Sequence, residues 1–371
     1  MRYTELILKV TSVCNLNCHY CYVFNKGDDS YKFEANFLSF KLCTTILDRL
    51  VEHCSEHGIK SFLIIFHGGE PLMVNPQFYK DFVELFNANK AGVSFRYGIQ
   101  TNATLLTQEW IDTLSELNIQ IGISIDGTRE SSIHRVFRGS NQEAYDSIMR
   151  GALLIKKNKL PLGTLSVMNP EVSAKATYEH LKMMGVDFAD FLYPDITFDN
   201  QPVEGLENWL IELFDCWYND VSEKPVIRYF DLMIKILLGE SRGNEVLGCK
   251  ENKTLCIKTN GNIDIVDSLK VCGNRFTHTG YNVLQNPLSV LDNDLNLRTY
   301  YYAHHSNVLC KQCRNCEVLQ ICGGGKLAHR YSKLNGFNNP SAYCQCSQSI
   351  IKHVSTVLYN DLSQLQCKYY E

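Results

Sequence analysis

No run of roughly eighteen apolar residues occurs in the 371-residue chain, so no transmembrane helix is indicated. The opening residues, Met1-Arg2-Tyr3-Thr4-Glu5, lack the apolar segment of a secretory signal, which makes the cytoplasm the expected compartment. Neither sign of charge is in excess: 36 Lys and Arg stand against 40 Asp and Glu, a formal net charge of -4. That balance gives no electrostatic footprint for nucleic acid or for an anionic membrane. The glycine fingerprint of dinucleotide-binding sheets is missing, as are fixed-period repeats and low-complexity tracts. What remains is an ordinary globular composition, long enough to bury a large core and to hold two or three domains.

Cysteine is what the chain has in abundance, with 16 residues. In a small secreted domain that would suggest disulfides; in a large chain without a signal, metal binding is the better expectation. The cysteines crowd into residues 14–21 and 249–346, while Cys43, Cys54, Cys216 and Cys367 stand alone and read as core or surface thiols. The first field is Val13-Cys14-Asn15-Leu16-Asn17-Cys18-His19-Tyr20-Cys21-Tyr22, spaced C-x3-C-x2-C directly after the strand-like run Leu6–Val10. Thiolates select zinc, Cu(I) or iron–sulfur clusters. A structural zinc site wants four closed ligands, and here His19 is the only nearby fourth. Three thiolates on a 4Fe–4S cluster leave one iron open for chemistry.

From residue 5 to about 195, strand-like and helix-like segments alternate. Strands are expected at Glu5–Thr11, Ser61–Phe66, Val93–Gln100, Gln120–Ile125, Leu162–Met168 and Phe188–Leu192. Helices are expected at Phe40–Cys54, Gln77–Asn87, Gln108–Leu117, Ala144–Lys156 and Ala174–Met184. This alternation argues for an α/β fold with a parallel sheet, and six strands favour a partial (β/α)6 barrel of TIM type. Residues 1–200 form the expected barrel, 201–245 a helical bridge without strand signal, and 246–371 a cysteine-rich C-terminal domain. Function in barrels sits on the loops after the strands, and the cysteine loop follows the first one.

Polar clusters recur at the later strand ends. Gly68-Gly69-Glu70-Pro71 combines two glycines, which let a backbone approach closely, with a carboxylate able to pair with a cation. Gln100-Thr101-Asn102 closes the third strand, and Ser124-Ile125-Asp126-Gly127 the fourth, with His134 and Arg138 downstream. Each cluster alone also reads as turn chemistry. Their recurrence favours one shared ligand.

The cysteine loop, with Tyr20 just before its last cysteine, resembles the radical S-adenosylmethionine (SAM) superfamily. The resemblance implies a 4Fe–4S cluster on Cys14, Cys18 and Cys21, whose open iron chelates SAM. Reductive cleavage of SAM would supply a 5′-deoxyadenosyl radical that abstracts hydrogen from an unactivated carbon. It implies further that Gly68, Gly69 and Glu70 hold the SAM amino group, with Asn102 and Asp126 in the same strand-end set. Ser124 and Arg138 would take the ribose and carboxylate, Arg135 being a close rival for the second role. Tyr20 would pack near the adenine.

The C-terminal field runs Cys249-x6-Cys256, then Cys272, Cys310-x2-Cys313-x2-Cys316-x5-Cys322, Cys344 and Cys346. It is similar to the SPASM domain, which implies two auxiliary 4Fe–4S clusters and three clusters in all. Two cysteines of that pattern are missing: Lys326 follows Cys322-Gly323-Gly324-Gly325, and Val266-Asp267 stands shortly after Gly261. Ligand counting then assigns Cys249, Cys256, Cys272 and Cys310 to one cluster and Cys313, Cys316, Cys322 and Cys344 to the other. About twelve irons per chain would follow. Asp267, by its position, matches a carboxylate that acts as base in sulfatase-maturing relatives, where a raised pKa would suit it. A solvated turn residue is the other reading.

Cys322 through Ser332 and Asn335 through Cys344 resemble the subgroup that cross-links ribosomally made peptides, including three-residue cyclophane synthases. The implied reaction is a C–C bond from Cβ to an aromatic ring of a precursor peptide. Thioether or ether formation, oxidation of Ser or Cys to formylglycine, and a non-enzymatic iron–sulfur electron carrier are the rivals. A small electron donor such as flavodoxin or ferredoxin is the second expected partner. With no fused module before the first strand, the peptide leader is expected on the barrel edge or the bridge helices.

Overall fold

The computed structural model describes residues 1–305 and 307–369, without the side chains of 365–369; Cys367 therefore lies outside the described side chains. Strands β1 (Glu5–Thr11), β2 (Ser61–Gly68), β3 (Ser94–Thr101), β4 (Ile119–Ser124), β5 (Gly163–Val167) and β6 (Phe188–Leu192) lie side by side and parallel. Helices α1 (Phe40–His57), α2 (Pro76–Ala88), α3 (Gln108–Glu116), α4 (Tyr145–Lys157) and α5 (Ala174–Met183) connect them. The result is the open six-stranded partial barrel that the alternation predicts. Among the described residues, no helix is long and apolar enough to cross a membrane.

Local chemistry explains why these segments take these forms. α1 buries Leu42, Cys43, Ile46, Leu47, Leu50 and Cys54, a single stripe at three- and four-residue spacing. It stops at Gly58, whose φ of 63° lets its N–H reach the carbonyls of Cys54 and Ser55. Each buried Leu or Ile of that stripe contributes about 1.5–3 kcal/mol. β2 alternates instead, and Phe66 packs edge-on against Tyr79 and Phe82 of α2 at 5.0 and 5.1 Å. That places Ile65 and His67 on the opposite, inner face.

The bridge is not purely helical. α6 (Leu206–Tyr218) and α7 (Arg228–Leu237) flank a two-residue strand, β7 (Val226–Ile227), that pairs with β6. Two residues are too short to leave a periodicity, so the strand had no sequence signal. The C-terminal region also joins the sheet: β8 (Thr254–Ile257) pairs parallel with β1. β9 (Asn262–Asp264) and β10 (His278–Asn282) extend it antiparallel. One ten-stranded sheet therefore crosses the boundary expected near residue 245. The long helix Cys344–Tyr369 packs on α6.

Candidate cluster and cofactor site

Beyond β1 the chain turns into the cysteine loop, which is laced to the segment 134–138. Asn17 N–H donates to the Val136 carbonyl at 2.8 Å, His19 N–H to the His134 carbonyl at 3.1 Å, and Arg138 N–H to the Asn15 carbonyl at 2.9 Å. Leu16, 1% exposed, pins the middle of the loop into the core. The three thiols lie close enough to feel one another's charge. Burial, with the Glu70 charge next, pushes the Cys14 thiol up to about 12. Burial also raises Cys18 to about 11 and lifts Cys21. The Leu16 N–H already points at Cys14 Sγ from 3.3 Å.

This donor set fits an iron–sulfur cluster. Three half-buried thiols with raised pKa values ionise readily when strong positive charge arrives with them, as cluster iron provides. His19 does not complete the set: it is exposed, and its Nδ1 sits 3.3 Å from Nδ1 of His134. Among the described residues, no group of His, Cys, Asp and Glu side chains is arranged to hold a single metal ion.

The strand-end residues converge on this loop. A Cβ on Gly69 would stand 2.0 Å from the Val13 carbonyl oxygen, and one on Gly68, at φ 139°, 2.0 Å from that of Thr11. The two glycines thus let β2 press against the backbone leading into the cysteines, where the sequence suggested room for a ligand. Glu70 is buried beneath, accepting from Leu72 N–H at 2.9 Å, Thr101 Oγ at 2.5 Å and Asn102 N–H at 2.7 Å. Burial raises it to about 7 against the pull of those three donors. Asn102 links the layers: its Nδ2 donates to Asn15 Oδ1 at 2.9 Å and points at Cys14 Sγ from 3.8 Å. Ser124 accepts from Gln100 Nε2 at 2.9 Å.

Asp126 is engaged by protein groups at the position where the resemblance implied a cofactor contact. Its two oxygens accept from Arg135 Nε and Nη2 at 2.9 and 2.7 Å, from Val167 N–H at 2.9 Å and from the Tyr20 hydroxyl. Four donors fill the four lone-pair positions of a carboxylate. Tyr20 is thereby held with its ring 5.4 Å from the Arg135 guanidinium. That buried bidentate pair commits Arg135 to Asp126. Arg138 is exposed, stacks 4.9 Å from Phe24 and donates to the carbonyls of Cys14 and Leu16 at 3.1 and 3.3 Å.

Asp267 also departs from expectation. It is buried, and it ion-pairs with Lys9, which lies 3.2 Å from His67 Nδ1. Burial pushes its pKa up, but the charges of Lys9, Lys270 and His67 outweigh burial and bring it to about 2. The carboxylate is a firmly ionised partner of Lys9, neither a solvated turn nor a base of raised pKa. Lys9 and His67 were not among the sequence candidates. A lysine on the inner face of an otherwise apolar strand was the available signal.

Two cysteine groupings fare differently. Cys313, Cys316, Cys322 and Cys344 line one pocket together with Gln312 and Gln348. Cys249, Cys256, Cys272 and Cys310 are not brought together. Cys256 projects from β8 and donates to Asp267 Oδ1 at 3.7 Å, while Cys249 Sγ faces the Leu319 carbonyl at 3.5 Å. Cys310 packs beside Cys313 and Leu309, and Cys272 ends the short 3-10 stretch Asp267–Cys272. Strand pairing of β8 with β1 commits Cys256 to the barrel side, which ligand counting could not register.

Comparison with known proteins agrees with this fold. The model of the radical SAM superfamily matches residues 8–184. A cysteine-type anaerobic sulfatase-maturating enzyme of Clostridium novyi is 25% identical over 379 aligned positions, covering 95% of this chain and 96% of that one. A serine-type counterpart from Bacteroides thetaiotaomicron is also 25% identical, covering 94% and 89%. Among solved structures, native anSMEcpe with bound AdoMet and Kp18Cys peptide superposes with a TM-score of 0.81 at 22% identity, covering 97% of this chain and 99% of that one. The thiol loop and the strand-end set both lie within residues 8–184, the segment that matches the radical SAM superfamily model, and the chain is an enzyme built on a barrel of that type.

Proposed function

We propose that this enzyme removes a hydrogen atom from a side-chain carbon of a peptide or protein substrate and leaves that residue oxidised by two electrons. The observation that carries the reading is the three-thiol loop, set over Asn102 and Glu70. When bound, the cluster and SAM supply the hydrogen-abstracting radical. The chain's own residues orient and exclude water: Glu70 offers a buried carboxylate for the SAM amino group, and Tyr20, held by Asp126, offers a ring for the adenine. Ser124 and Arg138 are the residues proposed to take the ribose and carboxylate. A small electron donor completes the system.

Two products fit this class. Relatives along nearly the whole chain favour oxidation of Cys or Ser to formylglycine. A cross-link from Cβ to an aromatic ring is the other product, supported by the likeness of Cys322–Ser332 and Asn335–Cys344 to the peptide cross-linking subgroup. The test incubates the reconstituted enzyme with reductant, SAM and candidate peptides, including a sulfatase-type Cys or Ser peptide and a precursor peptide encoded next door. 5′-Deoxyadenosine must form, and Cys18→Ala must abolish it. A cross-link keeps all heavy atoms, loses two hydrogens and does not react with a hydrazide, whereas formylglycine does. Turnover in Cys18→Ala sinks the whole reading.

A further inference from the structure

Resemblance to the SPASM pattern implies two auxiliary clusters, and one of them does not fit the residues present. A 4Fe–4S cluster of that kind takes four thiolates. The structure gathers four around one pocket, Cys313, Cys316, Cys322 and Cys344. The other expected set is dispersed, as described above, and two positions of the pattern carry no thiol: Lys326 and Val266. What occupies that region is charge. The Lys326 ammonium is buried and lies 2.7 Å from Asp195 Oδ1 and 3.7 Å from Glu245 Oε1. Next to it, Val266 and Leu327 line a cavity with Glu245, Tyr301 and His304, and no cysteine is among its lining residues. Across β8, Cys256 serves as donor to Asp267, which is itself paired with Lys9.

Buried ammonium groups persist only where carboxylates meet them. Here the pairs Lys326–Asp195 and Lys9–Asp267 already satisfy each other. An anionic cluster placed among Asp195, Glu245 and Asp267 would add like charge to three carboxylates. The thiols left to hold it, Cys249, Cys256, Cys272 and Cys310, do not converge: Cys256 points at Asp267, Cys249 at the Leu319 carbonyl, and Cys310 packs beside Cys313. We propose that this enzyme holds one auxiliary cluster rather than two, and that buried ion pairs centred on Lys326 and on Lys9–Asp267 stand in place of the second.

This inference deepens the maturase reading and rests on it for the identity of the remaining clusters, but its test is independent of substrate. Iron and sulfide are counted on the anaerobically reconstituted full chain, and native mass spectrometry counts cluster adducts. The expected total is about eight irons in two adducts, four per cluster. The Cys249→Ala/Cys256→Ala variant is expected to keep all of them, and Cys316→Ala to lose about four. About twelve irons in the parent chain, or loss of about four from the Cys249/Cys256 variant, overturns the proposal. Should that variant not fold, the adduct count of the parent decides alone. A separate Cys14→Ala/Cys18→Ala/Cys21→Ala variant reports on the radical site, so failure of the maturase reading appears there and leaves the Cys249/Cys256 comparison intact.

Discussion

Glu70, proposed above to meet the SAM amino group, is a buried carboxylate whose neighbours set its charge. Three donors hold its oxygens in place, yet burial keeps its pKa near neutrality, at about 7. The free enzyme therefore carries Glu70 partly protonated at neutral pH. An ammonium group brought against it stabilises the ionised form and drives the proton off. Binding of SAM near pH 7 is thus expected to release protons, seen as calorimetric heats that vary with the ionisation enthalpy of the buffer. In Glu70→Gln that variation disappears; if it persists, another group is the source. The same residue carries a stability signature. Its folded pKa lies above the ordinary carboxylate value, so its contribution favours the native state increasingly as pH falls from about 7 towards 4.5. Tyr20, Asp126 and Arg135 illustrate a different use of charge, in which every lone pair of the carboxylate is spent on holding an aromatic ring in position.

At the scale of elements, the cysteine loop owes its shape to its neighbours more than to its own residues. Backbone bonds from Asn17, His19 and Arg138 tie it to 134–138, and the end of β2 presses on its lead-in through Gly68 and Gly69. Replacing Gly69 by Ala puts a methyl 2.0 Å from a carbonyl oxygen of fixed backbone. Overpacking of this sort costs about 1–3 kcal/mol and moves the backbone that carries Cys14. Gly69→Ala is expected to unfold at lower denaturant and to lose the irons of the first cluster; an unchanged iron count would show that the loop adjusts freely. The spacing C-x3-C-x2-C was legible as a cluster loop because chemistry demands three soft ligands within one turn of chain. The lacing partners at 134–138 were not legible, since they lie more than a hundred residues away and use only backbone groups.

Over the whole molecule, the sheet joins the barrel to the cysteine-rich region through β1 and β8, and buried charges reinforce the junction. Lys270 meets Asp28 at 2.6 Å, and Lys258 meets Glu34 at 2.6 Å and Asp264 at 3.1 Å. These pairs connect the segment after the cysteine loop to the strands β8 to β10. Removing one partner strands the other: Lys270→Met is expected to destabilise the chain by about 3–5 kcal/mol, measured by denaturant unfolding. Adding Asp28→Leu to it should recover much of that loss. A single mutant with unchanged stability would mean that water reaches Asp28. What the amino-acid order determined alone was periodic or local: alternating strands and helices, and ligands within a few residues of one another. Apolar spacing and thiol chemistry act over that range, so β1 was read at its observed limits and the first cysteine loop was identified as a unit. Only tertiary structure decided that β8 pairs with β1, that Asp267 faces Lys9, and that Cys249, Cys256, Cys272 and Cys310 stay apart. Those outcomes depend on which buried groups meet across the folded sheet, and electrostatic pairing at a few ångströms leaves no trace in residue spacing.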